Sequence, residues 1–71
     1  MGKAVNEERA LSEKQEMFCL EYVRTGNATE AYKAAYNAAN MGYATIRVKA
    51  SQLLARDNIR ITIDRLREEA L

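Results

Sequence analysis

One helix ends and the next begins within the five residues Gly26-Asn27-Ala28-Thr29-Glu30. Glycine adopts the left-handed conformation that commonly closes a helix. Asn27, followed three residues later by Glu30, has the spacing of a capping box, in which each side chain bonds the backbone N–H of the other residue. The chain of 71 residues contains no Pro and only 3 Gly, and strong helix formers make up much of it. The sequence therefore predicts an all-α fold.

The helices on either side of this segment are marked by caps and by side-chain spacing. Ser12 and Gln15 form another capping box, which predicts a first helix over residues 13–25. A second helix is predicted over residues 28–38. It carries a stripe of small side chains, which we interpret as core packing: Ala28, Ala31, Ala35 and Ala38.

Two more helices are predicted in the second half of the chain. The turn Asn40-Met41-Gly42 precedes a third helix over residues 43–55, and a helix-turn-helix motif needs such a short, glycine-bearing connection. Asp57 is expected to cap a fourth helix over residues 58–70. This helix has a heptad-like seam, interpreted as core with an oligomer contact as the alternative: Ile59, Ile63, Leu66 and Ala70. The predicted fold is a small four-helix bundle containing a helix-turn-helix motif.

Size and composition limit the classes of function. Residues 1–10 are polar and aperiodic, so we expect a flexible N-terminal arm followed by one domain at residues 11–71. There is no His, and Cys19 is interpreted as a core residue. Three carboxylates are interpreted as a solvated face: Glu13, Glu16 and Glu21. We therefore expect a non-enzyme without catalytic residues, metal or cofactor. Because no signal peptide or transmembrane run is evident, we expect a cytoplasmic protein without membrane association.

Positive charge is concentrated towards the end of the chain. Residues 43–67 carry six Lys/Arg against two Asp/Glu, whereas the net charge of the whole chain is +1. At 100° per residue, the third helix has a core arc centred on Ile46 and completed by Tyr43, Ala50, Leu53 and Leu54. The opposite arc contains no acidic residue and comprises Ala44, Thr45, Arg47, Val48, Lys49, Ser51, Gln52, Ala55 and Arg56.

This opposite arc has the composition of a helix that enters the major groove. The residues predicted to contact DNA are Thr45, Arg47, Val48, Lys49, Ser51, Gln52 and Arg56. The cations can reach phosphates or guanine edges, the amide of Gln52 matches adenine, and Thr45 and Val48 can touch a thymine methyl group. An ordinary solvated helix face, which is also polar and charged, is the alternative interpretation.

Five stretches in a fixed order form a specific combination, and they are spread over nearly the whole chain. They are Leu11-Ser12-Glu13-Lys14-Gln15-Glu16-Met17-Phe18, Glu21-Tyr22, Gly26-Asn27-Ala28-Thr29-Glu30-Ala31-Tyr32, Thr45-Ile46-Arg47-Val48-Lys49-Ala50-Ser51-Gln52-Leu53-Leu54 and Asn58-Ile59-Arg60. This combination resembles the N-terminal domain of small terminase subunits of tailed double-stranded DNA bacteriophages.

The resemblance implies a helix-turn-helix bundle that recognises the packaging-initiation site on viral DNA in the cytoplasm of the bacterial host. It also implies a partner, the terminase large subunit, which carries the ATPase and nuclease and is directed to that site. A homo-oligomeric ring is implied too, formed by a segment that would follow the fourth helix. Asn27 and Thr29 would then open the second helix, Leu53-Leu54 would pack the third, and DNA contact would fall on residues 45–56.

Two features depart from the family pattern. The turn before the third helix is longer and less regular than usual, since Ala39-Asn40-Met41 precede Gly42-Tyr43, and Asp57 stands where the family often has Pro. Two other functions remain open on the sequence. One is a helix-turn-helix transcription regulator of phage or prophage origin, and the other is a protein-interaction module whose basic face meets an acidic partner.

Overall fold

A computed structural model describes residues 11–70, and the predicted N-terminal arm at residues 1–10 lies outside the described residues. Four α-helices follow one another: α1 (Glu13–Thr25), α2 (Ala28–Ala35), α3 (Tyr43–Leu54) and α4 (Asp57–Ala70). No strand occurs within residues 11–70. The prediction of an all-α fold with four helices is confirmed.

The start and the end of α1 form as their residues predict. The Gln15 backbone N–H donates to Ser12 Oγ over 3.1 Å, and the Ser12 N–H donates to Gln15 Oε1 over 3.0 Å. Both halves of this capping box are therefore present. At the other end, Gly26 has φ 69° and ψ 15°, and its N–H donates to the Tyr22 carbonyl. The helix thus closes through the left-handed residue expected there.

The second predicted capping box is only half formed. Asn27 Oδ1 accepts from the Glu30 N–H over 3.1 Å, so Asn27 caps α2. The Glu30 carboxylate instead forms an ion pair with Lys33 at 3.2 Å. The Asn27 N–H that Glu30 was expected to satisfy donates to Thr25 Oγ1 over 3.1 Å. The prediction of a reciprocal box was wrong because the preceding helix supplies that acceptor.

The core takes two buried side chains from each helix. They are Phe18 and Cys19, Ala31 and Tyr32, Ile46 and Ala50, and Ile59 and Ile63. In the described part of the chain, α1 packs against α2 and α4, and α3 also packs against α2 and α4. Ala28, Ala35, Ala38 and Leu66 lie half-buried against this core. The alanine stripe and the residues Ile59, Ile63 and Leu66 of the seam therefore pack inward, as predicted.

α2 ends three residues earlier than predicted. Tyr36 has extended backbone angles, with φ −123° and ψ 154°, and its ring stacks on Tyr32 at a centroid distance of 4.5 Å. The side chain of Asn37 accepts from the Ala39 N–H over 3.2 Å. Such local side-chain bonds compete with the helical hydrogen bonds. The alanine spacing suggested a longer helix, but Ala38 reaches the core from the connection instead.

Two other boundaries shift by one residue. α3 ends at Leu54, and Ala55, predicted as its last residue, is its C-cap. α4 begins at Asp57 itself, and the Asp57 carboxylate accepts from Arg60 Nη2 over 2.7 Å. Asp57 is therefore the first residue of α4 and not, as predicted, the cap residue that precedes the helix. Its negative charge at a helix N-terminus is favourable in that position too.

The connection between α2 and α3 runs over residues 36–42 and is longer than the turn of three or four residues typical of a helix-turn-helix. The Met41 N–H donates to the Ala38 carbonyl over 3.1 Å, and both side chains pack against the core. Gly42 lies at the N-cap of α3 with φ −72° and ψ 159°, which is ordinary extended backbone. The two glycines within residues 11–70 thus differ, since Gly26 occupies a left-handed conformation and Gly42 does not.

Gly26→Ala is expected to lower the free energy of unfolding by about 1–2 kcal/mol, because a side chain is strained in the left-handed region. Gly42→Ala is the matched control, since its φ is −72° and no heavy atom lies within 4 Å of an added Cβ. That variant is expected to change stability by less than about 1 kcal/mol, because the entropy that alanine removes from the unfolded chain is offset by the poorer N-cap preference of alanine relative to glycine. Urea titrations measure both values, and equal destabilisation by the two substitutions would contradict the distinction.

Candidate nucleic-acid interface

The exposed side of α3 and of the two residues after it forms one continuous surface, which we call the α3 face. It consists of Ala44, Thr45, Arg47, Val48, Lys49, Ser51, Gln52, Ala55 and Arg56, all of them exposed. On the other side of the helix, Ile46 and Ala50 are buried, and Leu53 and Leu54 are half-buried against the core. The helical periodicity thus separated the solvent side of α3 from its core side correctly at these positions.

Tyr43 is the exception to that assignment. It was predicted to lie in the core arc, but it is 66% exposed. The Arg47 guanidinium carbon lies 6.0 Å from the centre of the Tyr43 ring, within cation–π distance. Helical side chains lean towards the N-terminus, so one in the first turn extends past the packed part of the helix. Tyr43 therefore adds an aromatic ring to the N-terminal end of the α3 face.

The α3 face borders two depressions. The outer groove is lined by Ala44, Arg47, Val48, Ser51 and Gln52. The inter-helix pocket lies between α2 and α3 and is lined by Tyr32, Tyr36, Lys49, Gln52, Leu53 and Arg56. Gln52 borders both, and Thr45 lines neither. The structure therefore brings six of the seven predicted DNA-contacting residues together along these depressions, with Thr45 exposed beside them.

The cations of the α3 face carry uncompensated charge. Residues 43–56 contain Arg47, Lys49 and Arg56 and no acidic residue. Within residues 11–69, none of these three cations forms an ion pair, whereas Arg24, Lys33 and Arg60 each pair with an acid on their own helix: Glu21, Glu30 and Asp57. Exposed, unpaired cations can approach an anion without first breaking an ion pair.

The other cations of the second half of the chain lie on α4, where acidic residues accompany them. α4 carries three Arg against four acidic residues. Arg60 is paired with Asp57, and the Arg67 guanidinium carbon lies 5.5 Å from the centre of the Tyr22 ring. Cations without an accompanying acidic residue are therefore concentrated on α3 and at Arg56, whereas basic and acidic residues are mixed on α4.

The side chains of the α3 face offer three kinds of contact. Arg47, Lys49 and Arg56 supply charge for phosphates or guanine edges, and Ser51 and Gln52 supply polar groups for base edges. Val48 is 55% exposed in the middle of this polar surface. An apolar side chain at such a place matches the methyl group of thymine. The surface can therefore bind a polyanion and also distinguish chemical groups along it.

Cys19 belongs to the core and not to a site. It is fully buried, and its Sγ lies 3.9 Å from the Ile59 carbonyl oxygen. Burial raises the pKa of the thiol, and the nearby Glu16 raises it further. Cys19 therefore stays protonated at neutral pH, which is the unreactive form of cysteine.

The described residues hold neither a candidate metal site nor a helix suited to crossing a membrane. In residues 11–70, no three side chains of His, Cys, Asp or Glu come together in a way that could bind a metal ion. Over the same part of the chain, no helix has both the length and the apolar composition needed to cross a membrane. The candidate site that remains is the α3 face with the pocket beside it.

These residues define a small, all-helical module with one unpaired basic helix face. Residues 11–71 match the family model described as terminase small subunit, and the chain belongs to this family. The resemblance found in the sequence is thereby confirmed.

The chain is also similar to an uncharacterized protein of Haemophilus influenzae, with 43% identity over 61 residues. This match covers 84% of the chain but 36% of the relative, so the chain spans about a third of that protein's length. No solved structure matches the chain.

Proposed function

We propose that this chain is the DNA-recognition domain of a phage terminase small subunit and binds double-stranded DNA through the α3 face. The observation that carries the proposal is the unpaired positive charge of Arg47, Lys49 and Arg56 on an exposed helix without acidic residues. Lys and Arg that neutralise phosphates release counterions, which is the main source of affinity in such modules. Membership of the terminase small subunit family supports the same assignment.

In this proposal α2 and α3 act as the two helices of a helix-turn-helix motif. α2 packs against α3, and the seven residues between them pack partly on the core. The second helix of such a motif lies in the major groove, and its N-terminal residues contact base edges. Val48, Ser51 and Gln52 would then read the bases from the outer groove, and Arg47, Lys49 and Arg56 would hold the backbone.

The family supports a wider role in genome packaging. The proposed domain recognises the packaging-initiation site on viral DNA and directs the terminase large subunit to it. It works in the cytoplasm of the bacterial host and has no catalytic chemistry of its own. In the proposed assembly, several copies sit on a homo-oligomeric ring, so that weak single contacts add up to high avidity.

A transcription regulator with the same motif and a protein-interaction module are the competing functions. A regulator reads a specific operator tightly, often as a dimer. A protein-interaction module would use the same basic residues against an acidic partner and would not depend on counterion release from DNA. The three functions therefore differ in affinity, sequence preference and salt dependence.

Binding of the 71-residue chain to duplex DNA tests the proposal. Fluorescence anisotropy with a labelled duplex is expected to give a dissociation constant of about 1–100 µM, because a single small module makes few contacts. For three phosphate contacts, the slope of log affinity against log salt is expected to be about −2.7. A slope near zero would favour the protein-interaction module. Nanomolar, sequence-specific binding by the monomer would favour the regulator.

A further inference from the structure

The inter-helix pocket is lined partly by residues of the core and partly by residues of the α3 face. Its volume is about 220 Å³, and it lies where the end of α2 meets the second half of α3. Tyr32 and Tyr36 form one wall, and Lys49, Gln52 and Arg56 form the other. No acidic residue lines it. Its polar lining therefore consists mainly of hydrogen-bond donors and of two cations.

Only part of the Tyr36 side chain is available to a ligand in this pocket. Its ring stacks on Tyr32 with an interplanar angle of 14°, and the Lys14 ammonium lies 5.8 Å from its centre. Both neighbours engage the ring system, so a nucleobase has little aromatic surface left for stacking. What remains for a ligand is the hydroxyl group, together with the positive potential of Lys14.

The hydroxyl of Tyr36 is a donor at neutral pH. Burial raises its pKa, the neighbouring Tyr32 adds to the rise, and the Arg56 guanidinium opposes it. The phenol therefore keeps its proton. Arg56 lines the same pocket as Tyr36. Within residues 11–69, no hydrogen bond to the Tyr36 hydroxyl is found.

We propose that the inter-helix pocket holds one phosphate of the DNA backbone, with the Tyr36 hydroxyl, Lys49 and Arg56 as its donors. This inference rests on the proposed function, and it adds Tyr36, from the connection after α2, to an interface so far confined to the α3 face. A tetrahedral anion suits the pocket because the lining offers donors and positive charge on several sides. Since Gln52 borders both the pocket and the outer groove, the bound phosphate would fix the register in which the outer groove meets the bases.

Tyr36→Phe tests the pocket because it removes the hydroxyl and keeps the ring stack. Its DNA affinity is expected to fall by about three- to tenfold, as the loss of one hydrogen bond predicts. The slope of affinity against salt is expected to stay unchanged, because the hydroxyl carries no charge. Tyr22→Phe is the matched control. Tyr22 is also half-buried and stacked, on Phe18 at 6.2 Å, but lies outside the inter-helix pocket, so this variant is expected to bind like the wild-type chain.

A second measurement follows the Tyr36 ring by NMR on tyrosine-labelled protein. Duplex DNA is expected to shift the Tyr36 resonances over the same concentration range as the anisotropy change. Inorganic phosphate at constant ionic strength is expected to do so only at far higher concentration. Saturation by inorganic phosphate first, with DNA affinity unaltered in Tyr36→Phe, would mean a site for a free anion and overturn the proposal.

The remaining outcomes separate the pocket from the proposed function. If the wild-type chain binds DNA and Tyr36→Phe binds it equally well, the phosphate pocket is wrong and the α3 face stands. If the wild-type chain does not bind DNA, both fail. Thermal midpoints of Tyr36→Phe and Tyr22→Phe, expected to lie close to that of the wild-type chain, show that neither variant acts through unfolding.

Discussion

Replacing Arg47 and Lys49 together with alanine is expected to lower DNA affinity on the order of fifty-fold at about 0.1 M salt. Each cation that meets a phosphate releases about 0.9 counterion, so the loss of two contacts also flattens the log–log salt slope by about two. Both side chains are exposed and form no ion pair within residues 11–69, so the fold should tolerate their removal. Anisotropy titrations at several salt concentrations measure affinity and slope together.

The control must remove the same charge from another surface. Arg24→Ala with Arg65→Ala does so, because these residues lie on α1 and α4 and both are exposed. This pair is expected to leave the salt slope nearly unchanged. If the two double variants weaken binding equally, the attraction follows net charge and the α3 face is not the interface. An unchanged slope in the Arg47 and Lys49 double variant would point to the protein-interaction module.

Phe18→Ala is expected to remove a large part of the stability of the domain. Phe18 has no exposed surface and stacks on Tyr22. Truncating a buried Phe costs about 3–5 kcal/mol, whereas a domain of this size has about 4–11 kcal/mol in total. The variant should therefore melt far below the wild-type chain and lose DNA binding with its fold. Thermal melts followed by far-ultraviolet circular dichroism measure the change.

The neighbouring residue provides the comparison. Met17 is 43% exposed and lies on the same helix, so Met17→Ala has a similar effect on helix propensity without opening the core. Its expected cost is below about 1 kcal/mol, as for other surface positions. Similar melting of Phe18→Ala and the wild-type chain would contradict the packing of α1 against α2 and α4.

The helix count was predictable because its signals are local. A capping box at Ser12 and a left-handed Gly26 are each determined by a few adjacent residues. The end of α2 was not predictable in this way. The alanine spacing continues to Ala38, but the side chain of Asn37 accepts a hydrogen bond from the Ala39 N–H. The same competition misled the prediction at Glu30, whose carboxylate had Lys33 within reach as another partner.

The candidate site was predictable where the rotation of a single helix determines which side chains are exposed. Periodicity separated Arg47 and Val48 from the buried Ile46, because burial along the middle of a helix follows its rotation. It was wrong at Tyr43, because no neighbouring helix covers the first turn at that position. The inter-helix pocket depends on where α2 stops and how it lies on α3, and both are tertiary properties that spacing within one helix does not contain.

The uneven distribution of charge has a consequence for the kinetics of encounter. The chain is nearly neutral at +1, yet residues 43–56 carry three cations without an acid, while α4 carries more acidic than basic residues. The field of a polyanion exerts a torque on a domain with such a charge separation and turns it before contact. For the proposed binding to DNA, this charge separation would raise the rate of productive association rather than the lifetime of the complex. The orienting effect acts over a Debye length of about 8 Å at physiological salt.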